Sequence, residues 1–66
     1  MKTWVRTELK KGYQNITTVT EDGDYIQVAV WPDGTITSTH KSTLQAMGWR
    51  SVREFLRERK GFVLSP

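Results

Sequence analysis

The chain of 66 residues contains no cysteine, one histidine, two prolines and no long apolar run. Without thiols there is no disulfide staple, no thiolate zinc finger and no cysteine nucleophile, a usage that suits a reducing compartment. A membrane helix needs about 20 consecutive apolar residues, and Met1-Lys2-Thr3-Trp4 runs into a charged stretch rather than the apolar segment of a secretory signal. The sequence therefore predicts a cytoplasmic protein that does not associate with membranes. Also missing are the G-x-S-x-G, phosphate-loop, dinucleotide-binding and H-E-x-x-H patterns that assemble nucleophiles, phosphates or metals. No enzymatic activity, catalytic residue, cofactor or metal site is expected. His40 beside Lys41 reads as a surface histidine, and Asp22, Asp24 and Asp33 read as turn residues. Asn15-Ile16-Thr17 matches a glycosylation acceptor by pattern alone.

What is present is a thin supply of core-forming side chains. Only 36% of the residues are apolar, and the aromatics are three Trp, two Tyr and two Phe. A chain this short forms one domain and buries roughly 60% of the surface its unfolded form exposes. Its stability margin is therefore small, and a partner or a second copy would add to it. Ten Lys and Arg stand against seven Asp and Glu, giving a formal net charge of +3. An excess that mild acquires meaning only from where it is placed.

Period-two alternation dominates the first forty residues, interrupted by Lys10-Lys11-Gly12, Glu21-Asp22-Gly23-Asp24 and Pro32-Asp33-Gly34. Strands are predicted at about 3–9, 13–20, 25–31 and 35–40, joined as a meander. In the third, Ile26, Val28 and Val30 share one face, while Tyr25, Gln27, Ala29 and Trp31 share the other. Two Ser-x-x-Glu/Gln signals then open helical segments: Ser42 with Gln45 and Ser51 with Glu54. They predict either helical structure at 43–47, a corner at Gly48-Trp49-Arg50 and a longer helix at 51–60, or one helix bent at Gly48, with Gly61 as the stop. Phe62-Val63-Leu64 is read as a short strand or an apolar strap. The predicted architecture is α+β, an antiparallel meander of three to four strands packed on a C-terminal helix. Its core is expected where Ile26, Val28 and Val30 meet Leu44, Met47, Val52, Phe55 and Leu56.

The sharpest chemical candidate is the helix. Arg50, Arg53, Arg57 and Lys60 recur at three- and four-residue spacings, which gathers them on one stripe. Such a stripe, with Trp49 as a stacking surface, suits phosphate contacts along a nucleic acid, most naturally DNA. The competing reading is a solvated, self-neutralising face, since Glu54 lies within reach of both Arg50 and Arg57. A second candidate is the outward sheet face. With Ile26, Val28 and Val30 inward, Tyr25 and Trp31 face out, joined by Trp4 and Arg6 from a neighbouring strand. That patch suits stacked bases or a protein interface, including one with a second copy.

The run Gly48-Trp49-Arg50-Ser51-Val52-Arg53-Glu54-Phe55-Leu56-Arg57 resembles the second helix of ribbon-helix-helix repressors, although their first helix does not fit between Thr39 and Gly48. Leu44 to Pro66 resembles the turn, second helix and wing of MerR-type and excisionase DNA-binding domains, with shifted spacing and unrelated preceding strands. The order of three strands and a helix is similar to that of the sheet-based DNA-binding domains of tyrosine recombinases. All three likenesses are to DNA-binding proteins, and they carry no residues over and assign no family. The expectation is thus a small nucleic-acid-binding regulator or accessory factor. Its rival is a protein-interaction module, such as an inhibitor or adaptor from a mobile element, whose arginines meet an acidic protein surface.

Overall fold

A computed structural model describes residues 1–65. Five strands and one helix follow in the order β1 (Thr3–Lys10), β2 (Tyr13–Thr20), β3 (Asp24–Val30), β4 (Ile36–Thr43), α1 (Val52–Glu58) and β5 (Val63–Ser65). The strands form a single antiparallel sheet in the order β4-β3-β2-β1-β5. The α+β class is therefore as predicted, with one strand more than the expected three to four. The extra strand is the tail: Val63 pairs with Val5 and Leu64 with Trp4, supplying hydrogen-bond partners to the first three residues of β1 on its outer side.

The predicted helical segment at 43–47 is a single capped turn. Thr43 rather than Ser42 is its cap, its Oγ1 accepting from the Ala46 N–H at 3.1 Å. Ser42 itself lies inside β4. Trp49 N–H donates to the Leu44 carbonyl and Gly48 N–H to that of Gln45, the paired bonds of a Schellman closure. That closure needs a residue in the left-handed region, and Gly48 has φ +96°. The turn drives Leu44 into the interior at 2% exposure but leaves Met47 on the surface.

α1 is also shorter than the predicted 51–60. Ser51 caps it as expected, accepting from the Glu54 N–H at 3.0 Å, and Arg59 ends it with extended backbone angles. Gly61 lies past that end, where its φ is +91° and an added Cβ would approach Arg6 Cδ to 3.1 Å. A side chain there is strained by backbone and neighbour alike, so glycine is what lets the tail turn close to β1.

The buried core is Val19, Tyr25, Leu44 and Phe55, flanked by Trp49, Val52, Leu56 and Phe62. Phe55 is its hub. Tyr25, Trp49 and Phe62 meet its ring edge-to-face at centroid distances of 6.0, 5.2 and 5.2 Å. Such pairs add about 0.5–1.5 kcal/mol each beyond the area they bury. The helix therefore covers the Tyr25 side of the sheet, opposite to the side the alternation of β3 was taken to favour. Leu44 and Phe55 are core residues as expected, with Val52 and Leu56 at its border. Ile26, Val28 and Val30 are not part of it, and neither is Met47.

The reason lies in the register and the connection. Val19 pairs with Tyr25 and with Trp4, so these three side chains share a face. A bulge between Gln27 and Val28 adds one residue to β4 and shifts its parity, so that His40 and Ser42 join the Tyr25 face. The capped turn after Thr43 then delivers the chain onto that face, where Phe55 finds aromatic neighbours.

Candidate interaction surfaces

The basic stripe is shorter than its sequence spacing implied. Only Arg53 and Arg57 stand on α1, because Arg50 precedes its cap and Lys60 follows its end. At about 100° per residue the two lie roughly 40° apart and away from Phe55, so both point outward, and both are exposed. Arg50 is engaged within its own molecule. Its backbone N–H donates to Glu54 Oε1 at 3.0 Å, its Nε to Oε2 at 3.3 Å, and its terminal nitrogen sits 3.2 Å from Oε2. The Arg50 N–H, followed by its guanidinium and then the charge of Arg57, holds the Glu54 carboxyl below the usual carboxylate range. Trp49 is half-buried against Phe55, and its ring carries the Arg59 guanidinium at 5.3 Å. The ring expected to stack beside Arg50 is therefore already engaged by Phe55 and Arg59.

The proposed aromatic patch does share one sheet face, but it is the face the helix covers. Tyr25 is 8% exposed and wedged between Phe55 and His40, so it offers nothing to a partner. Trp4 is half-buried beside Val19. Arg6 is a clamp rather than a free cation. Its guanidinium lies 4.8 Å above the Phe62 ring, donates to the Lys60 carbonyl at 3.3 Å and approaches Glu8 at 3.5 Å. It thereby ties β1 to the segment that follows α1.

The far end of this face is open. Thr17 and Asn15 form a buried polar strip bonded to Gln27 and Glu8, and beyond it Trp31 lies against Tyr13 with centroids 4.8 Å apart. Trp31 remains 39% exposed while its Nε1 donates to Thr37 Oγ1 at 3.2 Å. A surface depression of about 790 Å³ sits where the β2–β3 turn meets the capped turn. Its charged lining is Glu21, Asp22 and Arg50, all exposed, with no buried polar group aimed into it.

The opposite face of the sheet is the surface that the sequence reading missed. The registers place Val5, Ile16, Ile26, Val28, Val30 and Ile36 on it, interspersed with threonines such as Thr7 and Thr18. Among the described residues no element covers it, since the one helix packs on the other side. Its central side chains are shielded only by their neighbours in the sheet, and towards the rim Leu9, Ile36 and Val63 are 84%, 64% and 66% exposed. One signal in the sequence did point this way. Trp4, Tyr13, Tyr25 and Trp31 all fall on the other parity, the one able to meet Phe55 and Phe62, whereas hydroxyls dilute the aliphatic parity.

No protein-family model, curated protein or solved structure matches the chain. No helix among the described residues is long and apolar enough to cross a membrane.

Proposed function

We propose that this protein is a protein-interaction module, a small adaptor or inhibitor whose working surface is the open aliphatic face of its sheet. The observation that supports this reading is the absence of any covering element among the described residues over Val5, Ile16, Ile26 and Val28. An uncovered sheet face carrying that many aliphatic side chains, on a domain with so few buried ones, is the physical mark of a docking face. The interaction reading formed from the sequence thus keeps its class and changes its residues. Trp4, Arg6 and Tyr25 are absorbed by the fold, and of the expected anchors only Trp31 stays accessible.

Nucleic-acid contact is the second reading, favoured by the two outward guanidiniums of Arg53 and Arg57. It is the weaker because Arg50 is neutralised by Glu54 and Lys60 lies off the helix. The two readings separate through two variants, Val28→Lys and the double change Arg53→Ala with Arg57→Ala. The protein serves as bait in extracts of its source cells, alongside a panel of duplex DNA, single-stranded DNA and RNA at low and high salt. The expected result is a partner protein retained at high salt, kept by the arginine variant and lost by Val28→Lys. Nucleic-acid binding that falls steeply with salt and vanishes in the arginine variant, but survives Val28→Lys, overturns the proposal.

A further inference from the structure

We infer that the open face is where two copies of this chain stack sheet against sheet, closing a second hydrophobic layer across a two-fold axis. The inference rests on the interaction reading above and names its partner.

The first argument is area. A folded monomer of 7.6 kDa should expose about 4,300 Å², whereas this chain exposes 4852 Å². Its radius of gyration is 12.1 Å, against about 10.8 Å for a compact chain of this length. The excess surface, roughly 500 Å², is close to the area of the face itself. Four strands about 25 Å long and the three-residue β5, spaced about 4.8 Å apart, make a face of roughly 530 Å². Two copies stacked on it remove roughly 1,060 Å² from water, just past the about 1,000 Å² that a biological interface should clear. One copy leaves this face of its sheet uncovered, and two copies cover it for each other.

The second argument is chemistry. Among the described residues, the registers put only Asp24 and Lys41 as charged groups on this face, both at the corner where β3 and β4 meet. Nothing there selects an acidic or a basic partner. What the face complements is a flat, uncharged surface of β-branched side chains, and this same face is one. An isologous contact brings it against itself with no burial of charge at its centre, in the aligned stacking of a β-sandwich.

Edge-to-edge association is the less favoured route for a second copy. β4 is bulged opposite Gln27 and Val28 and carries Lys41, both features that discourage edge pairing. The other edge, β5, is only three residues long.

The test is sedimentation of the full chain from low to high micromolar concentration. Wild type is expected to associate reversibly to twice its monomer mass. Thr18, on the central strand β2 and on the open face, is replaced by Lys in one variant and by Asp in another. Each variant alone is expected to be monomeric, with association weakened roughly hundredfold or more, while the near-ultraviolet signal of the Phe55 cluster stays native. Mixing the two is expected to restore the dimer, because opposite charges then meet across the axis. A wild type that stays monomeric throughout, variants that associate as well as wild type, or a native-like mixture that stays monomeric overturns the inference. A monomeric wild type that still loses a captured partner on Thr18→Lys overturns self-association and leaves the interaction reading standing. A monomer whose captured partners are indifferent to Thr18→Lys overturns both.

Discussion

On one side of the sheet Val19 and Tyr25 are sealed beneath Phe55, while on the other Ile26 and Val28 stand with only their sheet neighbours for shelter. The covered side has the aromatics, a single short helix and a polar strip at Asn15 and Thr17. The open side is mainly aliphatic and hydroxylic, with Asp24 and Lys41 as its charged groups. The contrast shows that hydrophobicity along a strand does not tell which of its faces a monomer buries. Burial goes to the face that the connection reaches and whose side chains fit the incoming element. The remaining apolar face is then left without a covering element.

Substitutions can break this comparison, beginning at the hub. Phe55→Ala removes the ring on which Tyr25, Trp49 and Phe62 converge and should cost about 3–5 kcal/mol, comparable to the whole stability of a domain this size. Urea titration should find the variant largely unfolded, and a cooperative transition close to that of wild type would mean the aromatic cluster is not the core. A matched pair of valines tests the two faces directly. At concentrations where single copies prevail, Val19→Ala should cost about 2 kcal/mol because its side chain is wholly buried, and Val28→Ala well under about 1 kcal/mol. Equal losses would show that both faces are covered within one chain.

Smaller effects sharpen the account of the helix. Ser51→Ala deprives the Glu54 N–H of its acceptor and should lower stability by about 1 kcal/mol. Thermal melts would read this as a shift of several degrees, and an unchanged melt would mean that tertiary contacts alone hold α1. The smallest effect is expected in acid. Glu54 and Asp33 both have folded pKa values below their ordinary ones, Asp33 chiefly because its carboxylate accepts from the Thr35 N–H at 2.9 Å. A depressed pKa means that the folded state favours the ionised form. The associated stability is complete above the ordinary values of 4.5 and 3.8 and is lost as pH falls below them. Glu54→Gln should flatten the upper part of that decline, and a variant with the same acid profile as wild type would deny the carboxylate its capping role.

Much of the fold was legible because local chemistry dictated it. Turn residues at Gly12, Gly23 and Gly34 and β-branched runs placed the first four strands, with β2 found at its predicted bounds. Ser51 marked the true start of α1. The ends of the later elements were less legible, because long-range partners set them. β4 runs on to Thr43 because Asp24 offers it a pairing partner, and α1 stops at Glu58 because Arg59 turns extended on the way to the tail. The tail becomes a strand only through β1, whose register no local pattern encodes. At the candidate sites, spacing correctly put Arg53 and Arg57 on one helix face. It did not reveal that Arg50 is held by Glu54, or that Arg6 is spent on Phe62 and the Lys60 carbonyl.

By itself the sequence determined a meander of strands, a capped C-terminal helix and two alternating faces on each strand. Those features depend on backbone preferences and hydrogen bonds between near neighbours, which residue types specify wherever they occur. Which face lies under the helix, and so which is left uncovered, was decided only in three dimensions. Both parities of β3 are apolar, so alternation cannot rank them. The β4 bulge, the handed turn at Gly48 and the aromatic fit around Phe55 act together across distant parts of the chain, and their joint outcome fixes the choice.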